Sequence, residues 1–217
     1  MQVNKALLIT RPNHDPGTNY LFYWAGEVIL MAQKKGITVL DLSKDKATKK
    51  NFDSYLKRNQ PKLIFLNGHG NKDSILGFND EPLISMDKDD HLLNGKIIYA
   101  RSCDAARELG ASAVQKGALA FIGYVKSYRL GYSPSSITRP LQDKIAELFL
   151  IPSNLIPIAV LKGNSAGHAN SNSLKAMRRN FRFMLSSNAS AAQRDAARHM
   201  WHNIQNQKLL GDDSAKL

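Results

Sequence analysis

The chain has 217 residues, 43% of them hydrophobic and 22% charged, and a mass of 24.1 kDa. That is long enough for one globular domain with a real core, and the composition excludes a disordered chain. A single cysteine, Cys103, excludes both an internal disulfide and a cysteine zinc cluster. The net charge is +12, and between Lys162 and Lys208 the only acid is Asp195. Such a stretch is either a solvated helical face or a surface for an acidic partner. No nucleic-acid motif accompanies it, so nucleic acid is not expected. No apolar run has the length of a membrane span, and the N-terminus lacks a signal-peptide pattern, so a cytoplasmic protein without membrane contact is expected.

Ala6–Thr10 (ALLIT) reads as a first strand closed by Arg11-Pro12. Thr18 offers an N-cap, and Tyr20–Lys35 reads as one amphipathic helix ended by Gly36. Ile37–Leu42 is strand-like; Ala47–Arg58 is helical with Phe52, Tyr55 and Leu56 inward; Lys62–Leu66 is a third strand. Asn71–Ser85 suits a small hairpin and Met86–Leu93 a short helix. Lys96–Ala100 is a fourth strand, Asp104–Lys116 a helix with Ala105, Leu109 and Ala113 inward, and Ala118–Tyr124 a fifth strand. Val125–Arg139 is a loop and Pro140–Phe149 is helical, while Leu155–Leu161 is ambiguous between strand and helix. Gly163–Ser173 reads as a flexible linker before two closing helices, Leu174–Leu185 and Ala191–Leu210.

Apolar strands alternating with helices predict an α/β fold with a mainly parallel sheet covered on both faces. The expected organisation is a single domain over 1–217, with a core of about 1–162 and a basic helical extension over about 163–217. In such sheets ligands bind beyond the carboxyl ends of the strands. Arg11, His69 and Cys103 all fall there. A free thiol, with a pKa of about 8.5, is a modest nucleophile. On this reading Cys103 ends a strand and opens a helix, whose N-terminus would favour the thiolate. His69 would serve as base and then as acid toward a leaving amine. Gly70, with no side chain, and the N–H of Cys103 would supply oxyanion donors.

The segments Phe65-Leu-Asn-Gly-His-Gly70 and Ile97-Ile-Tyr-Ala-Arg-Ser-Cys103, 34 residues apart at His69 and Cys103, resemble the caspase-like clan of cysteine peptidases. That clan includes caspases, legumains, gingipains and bacterial caspase-like proteases. Gly117–Gly123 resembles the clan's next strand, and the likeness runs from about Ala6 to Tyr124. The resemblance implies a three-layer sandwich and a His69/Cys103 dyad with Gly70 and Cys103 as the oxyanion hole. It implies a protein or peptide substrate, no metal or cofactor, and no essential third acid. The imidazole would be oriented by a group around Arg11–Asn13. An activating partner or effector is frequent in the clan.

Arg11, Arg101, Asp104, Tyr124 and Tyr128 are the candidate substrate-binding residues. By the resemblance, Arg101 and Arg11 line the pocket before the cleaved bond, and two guanidiniums there would favour Asp or Glu. The competing reading pairs Arg101 internally with Asp104 or Asp15. His14, near the end of the first strand, can line the site. His199 and His202 are three apart on a helix but lack a third ligand for a metal. A reading from another class is an inactive binding or scaffold module that holds an acidic partner on its basic C-terminal helices.

Overall fold

The computed structural model describes residues 5–217. In chain order the elements are β1 (Ala6–Arg11), α1 (Pro16–Trp24), α2 (Gly26–Lys34), β2 (Thr38–Ser43), α3 (Lys49–Asn59) and β3 (Leu63–Asn67). A hairpin of β4 (Ser74–Leu76) and β5 (Pro82–Ser85) precedes β6 (Ile97–Arg101), α4 (Leu109–Gln115) and β7 (Ala120–Tyr124). The chain closes with α5 (Lys144–Leu161), α6 (Ala166–Met184), α7 (Ala191–Asn206) and β8 (Gln207–Gly211). The central sheet has six strands in the order β2-β1-β3-β6-β7-β8. All neighbours are parallel except β8, which runs antiparallel to β7.

Alternation along the strands explains the layers. Leu8, Ile64, Leu66, Ile98 and Phe121 face one side and meet Phe52 and Leu56 of α3, Leu109 and Ala113 of α4, and Ile75 and Leu83 of the hairpin. Leu7, Ile9, Phe65, Tyr99 and Ile122 face the other and meet Val28 of α2, Ile156 and Val160 of α5, and Ala169 of α6. The result is the expected three-layer sandwich. A third cluster joins Tyr20 and Trp24 of α1 to Phe149 of α5, Met177 of α6 and Met200 of α7.

Several expectations change. The single helix over Tyr20–Lys35 is two helices meeting at Ala25, and the N-cap of α1 is Asp15, with Thr18 completing a capping box from N3. Tyr55 is more than a third exposed rather than inward. The helix expected from Asp104 begins only at Leu109, because Asp104 takes a left-handed φ of 57° and the chain turns before it coils. The ambiguous Leu155–Leu161 belongs to α5, which carries Pro152 and Pro157 inside it. By length and composition α5 would pass as a membrane span, but 67% of it is buried inside the fold, as in a core helix. The Gly163–Ser173 linker is mostly helix: Ser165 caps α6 by accepting from the His168 N–H. The last predicted helix stops at Asn206, and the chain then returns to the sheet as β8, so the supposed extension supplies a strand of the core.

One buried carboxylate ties the upper layer together. Asp143, 1% exposed, caps α5 through Oδ1, which accepts from the N–H groups of Ile145 and Ala146 at 2.8 and 3.1 Å. Its Oδ2 accepts from the Tyr20 hydroxyl at 2.6 Å and the Ser133 N–H at 2.7 Å. Burial and the adjoining carboxylate push the Tyr20 hydroxyl well above its ordinary pKa, so it remains a donor. Asp143 thus joins α1, α5 and the 125–139 loop. Replacing Asp143 by Ala removes a cap worth ~1 kcal/mol and orphans a buried hydroxyl at a further ~1–3 kcal/mol. Urea unfolding is expected to show a loss of about 2–4 kcal/mol for Asp143→Ala and a smaller loss for Asp143→Asn.

Candidate active site

Sheet register brings the two motifs together. β3 and β6 pair in parallel from Leu63↔Ile97 to Asn67↔Arg101. Every pair is offset by the same 34 residues that separate His69 from Cys103. Each of these residues lies two positions past its strand, so they leave the same sheet edge side by side. Order in the sheet reverses one strand away, between β1 and β3, since β2 lies on one side of β1 and β3 on the other. Such a switch point opens a crevice at the carboxyl ends.

His69 and Cys103 line one small cavity of about 90 Å³. Gly68, His69, Ser102 and Cys103 form its floor, Gly17, Thr18 and Leu21 of α1 one wall, and Tyr128 and Leu130 of the long loop another. Apart from the His69 ring, no ionisable acid or base of the Asp, Glu, Lys or Arg kind lines it.

Two glycines permit this approach. Gly68 has a φ of 140°, and a Cβ there would stand 2.5 Å from the Leu76 carbonyl oxygen and 3.2 Å from Cγ of Pro12. At Gly70 a Cβ would stand 3.1 Å from the Cys103 carbonyl oxygen and 3.1 Å from Cβ and Oγ of Ser102. The His-Gly turn is therefore packed directly on the Ser-Cys turn. Around Gly70 the ladder to β4 uses the carbonyl of His69, which accepts from the Leu76 N–H, and the N–H of Asn71, which donates to Ser74. The Gly70 N–H is left out of that ladder and faces away from β4.

Asp15, not a group around Arg11–Asn13, meets the imidazole. Its Oδ2 lies 2.7 Å from Nε2 of His69, while Oδ1 accepts from the Thr18 N–H at 2.9 Å. Burial pushes the Asp15 carboxyl up, but the Thr18 N–H and the His69 ring outweigh it, and the net shift is downward. Asp15 is thus a carboxylate at neutral pH. A carboxylate only accepts, so Nε2 carries the ring proton and Nδ1 is free to take another. Sequence reasoning missed Asp15 as a site residue. Its signal was the Asp-x-x-Thr capping pattern just after β1, which fixes where that carboxylate points.

The thiol differs from expectation. Cys103 is half-buried, and its Sγ lies 3.8 Å from the Tyr128 carbonyl oxygen, to which it donates. Burial raises its pKa, the Asp104 charge adds to the rise, and bonds to Tyr128 and Ser127 only partly offset it. With α4 starting at Leu109, no helix N-terminus adjoins the sulfur. The resting group is a thiol.

The other candidates divide. Tyr128 lines the cavity, and its buried hydroxyl has no hydrogen-bond partner. Tyr124 is fully buried in β7 and donates to Oε1 of Gln207 at 3.1 Å, away from the cavity. Asp104 does not line the cavity; its left-handed backbone turns the chain after Cys103, and its charge adds to the rise in the Cys103 pKa. Arg101 is fully buried beneath Leu21, and its partners are neither Asp104 nor Asp15. Its Nε donates to Oδ1 of Asn67 at 2.8 Å, and its two terminal nitrogens to Oδ1 of Asn154 at 3.0 Å and the Leu21 carbonyl at 3.3 Å. The guanidinium also lies 5.0 Å from the centre of the Phe65 ring. Arg11 is committed too: it forms a fork with Asp41, donates to the Phe22 carbonyl at 3.1 Å, and lies in a separate groove with Trp24 and Glu27. Neither guanidinium reaches the cavity, because strand-end arginines here satisfy interior carbonyls and a neighbouring acid. His199 and His202 make no metal pair with a third ligand: His202 Nε2 lies 3.0 Å from the Ser127 carbonyl oxygen.

No family model matches the chain, and no curated protein matches it. Among solved structures it is similar to the Arg-specific cysteine proteinase gingipain R (RgpB), with a TM-score of 0.64 and 12% identity over 100% of this chain and 48% of that one. It is also similar to the complex of Porphyromonas gingivalis RgpB pro- and mature domains, with a TM-score of 0.57 and 11% identity over 97% of this chain and 48% of that one. The chain spans about half the length of the gingipain chains it matches. The likeness is one of fold, and that fold is caspase-like.

Since burial raises the Cys103 pKa, its reactivity should follow a high titration. Iodoacetamide labelling is expected to rise with a midpoint above the free-cysteine value of about 8.5. A midpoint below about 7 would mean a preformed thiolate and would contradict this assignment.

Proposed function

We propose that the chain is a cysteine peptidase in which Cys103 attacks the scissile carbonyl and His69 moves the protons. The observation that carries this reading is the shared register of β3 and β6, with both side chains on one cavity and the Gly70 N–H left out of its ladder. Sγ adds to the carbonyl carbon as its proton passes to Nδ1 of His69. The oxygen takes up charge against the N–H groups of Gly70 and Cys103. Collapse gives a thioester while His69 returns the proton to the leaving amine; His69 then takes a proton from water, whose oxygen adds to the thioester carbonyl, and Cys103 leaves and regains that proton as the carboxylic acid is released.

Asp15 is a positioning residue in this scheme. It fixes the Nε2–H tautomer and leaves Nδ1 as acceptor. Because the thiol starts protonated, His69 works as a general base on a neutral S–H rather than as half of a resting ion pair. The arginines named for an acidic preference are engaged elsewhere, so the reading carries no preference for Asp or Glu. An uncharged side chain fits the lining better, and the Arg specificity of RgpB has no acid in this cavity to support it.

A second function, holding an acidic partner, is favoured by one groove. Lys162 at the end of α5 faces Lys175, Arg179 and Arg182 on one stripe of α6, over a floor that includes Leu155, Ile158 and Ala176. No acid lines this groove of about 520 Å³. None of the four cations takes part in an ion pair among the described residues. A fluorescent acidic peptide is expected to bind at low salt and to be lost in Lys175→Glu/Arg179→Glu; equal binding by that variant would remove the groove from consideration.

Peptide cleavage tests the main reading. Cys103→Ala is expected to abolish turnover and acyloxymethylketone labelling together. His69→Ala should lower kcat by ~10²–10⁴, and a panel of peptides should favour uncharged residues before the cleaved bond. Asp15→Asn should lower kcat with little change in KM and shift the acid limb of the pH profile. Undiminished cleavage by Cys103→Ala would sink the enzyme reading.

A further inference from the structure

The loop after β1 brings a second histidine, His14, to the site, where the connection between β4 and β5 packs against it through Phe78 and Asp80. His14 stacks edge-on against His69, with ring centroids 5.9 Å apart, and against Phe78 at 5.6 Å. Both its ring nitrogens are buried, and neither has a hydrogen-bond partner among the described residues. Buried polar atoms are nearly always satisfied in native proteins, and an unpaired one points to an ion or an ordered water. The unpaired His14 nitrogens thus call for a ligand from outside the described residues.

The surrounding donors say what. Nε2 of His14 lies 3.4 Å from Oδ2 of Asp15 and 3.4 Å from Oδ1 of Asp80, and neither contact has hydrogen-bond geometry. The donor atoms of His14, His69 and Asp80 all lie within 4.8 Å of one another. Asp15 Oδ2 lies outside that set: it borders the cluster, 2.7 Å from Nε2 of His69, which is a hydrogen-bond distance and shorter than an edge between two ligands of one ion. Ligands on a tetrahedral zinc ion at 2.0–2.1 Å stand roughly 3.3 Å apart, and the His14–Asp80 edge, at 3.4 Å, already has that length. Two imidazoles with one carboxylate suit zinc(II) rather than calcium or magnesium, which take oxygen alone. Asp80 is held at the hairpin tip by two successive left-handed residues, Asn79 at φ 52° and Asp80 at φ 58°. Such strained backbone persists where the surroundings fix it.

We propose that His14, His69 and Asp80, with a water as fourth ligand, form a zinc(II) site that takes the His69 imidazole out of use. The metal site stands on the donor geometry; its effect on turnover rests on the peptidase reading. Zinc coordinates Nε2 of His69 through its lone pair. The ring proton that Nε2 donated to Asp15 leaves that atom, and the single proton of the neutral ring resides on Nδ1. With a proton on Nδ1 and a metal on Nε2, the ring has no lone pair for the Cys103 proton. Nothing is oxidised or reduced, and removal of the ion restores the Nε2–H tautomer. The site is thus an inhibitory one, sensitive to free zinc, and Cys103 is not among its ligands.

Titration of the purified chain with zinc chloride, followed by calorimetry, and with cobalt(II), followed by its visible absorption, tests the site whether or not the chain cleaves any peptide. The expectation is one equivalent of metal with the intense visible bands of four-coordinate cobalt. His14→Leu and the surface variant Asp80→Asn should each weaken binding by at least about tenfold, the lower bound for outer-shell partners, while Cys103→Ala binds as the parent does. No binding below about 0.1 mM zinc, a concentration weak enough to be ordinary surface coordination at ~5 kcal/mol, or binding indifferent to both His14→Leu and Asp80→Asn, would overturn the site. Loss of binding in Cys103→Ala would overturn it too, by putting the metal on the dyad. In the cleavage assay, zinc should stop the parent and leave Asp80→Asn active at the same concentration. Zinc bound through His14 without slowing an otherwise active parent would refute the inhibitory role alone.

Discussion

Everything at the candidate site depends on the parallel pairing of β3 with β6. Parallel register is strongly specified when both faces of a strand are buried, because a slip of one residue would turn every side chain to the wrong face. Leu63, Ile64, Phe65 and Leu66 are all fully buried, as are Ile98, Tyr99 and Ala100. The pairing cannot drift, and so the turns that follow the two strands cannot drift either. Two side chains 34 residues apart are thus brought to one sheet edge by a strand pairing that burial on both faces keeps in register. The glycines at 68 and 70 then remove the atoms that would keep the two turns apart.

The parallel sheet and its first five main strands were legible because those strands are near-continuous apolar runs, a pattern that burial on both faces produces. The His69–Cys103 pair was legible for the same reason: both follow such runs directly. What failed were inferences that treated charged or small polar residues by their usual surface habits. Gly163–Ser173 looked like a linker, yet Ser165 caps α6, and small residues such as Ala169 and Ser173 allow α6 to lie close to its neighbours. Gln207–Gly211 continued a helical pattern but pairs with the open edge of β7, where an unpaired edge would otherwise face solvent.

Arg101 shows most plainly what a sequence conceals. A cation two positions before the cysteine reads as a ligand for substrate. In the fold it sits among Asn67, Asn154 and the Leu21 carbonyl, with no carboxylate partner, and burial lowers its pKa. Neutral acceptors and the Phe65 face do the work of a counter-ion. Removing the guanidinium would leave two buried amide oxygens without a donor, so its role is to fasten β3, α1 and α5 beneath the cavity. Leu21, which it holds, is one wall of that cavity. The residue shapes the site from below without touching what enters it.

Asp15 joins the fold to the chemistry through its two oxygens. Oδ1 belongs to the helix: it caps α1 and so fixes the backbone that forms the opposite wall. Oδ2 belongs to the imidazole, and its 2.7 Å contact sets the tautomer. One rotamer serves both, so the direction in which the acid points is decided by helix capping before any ring arrives. The same oxygen is 3.4 Å from Nε2 of His14, whose ring nitrogens have no hydrogen-bond partner among the described residues. The cap that holds His69 ready for a proton therefore also holds it within reach of a metal. Preparing the imidazole and exposing it to capture follow from a single carboxylate.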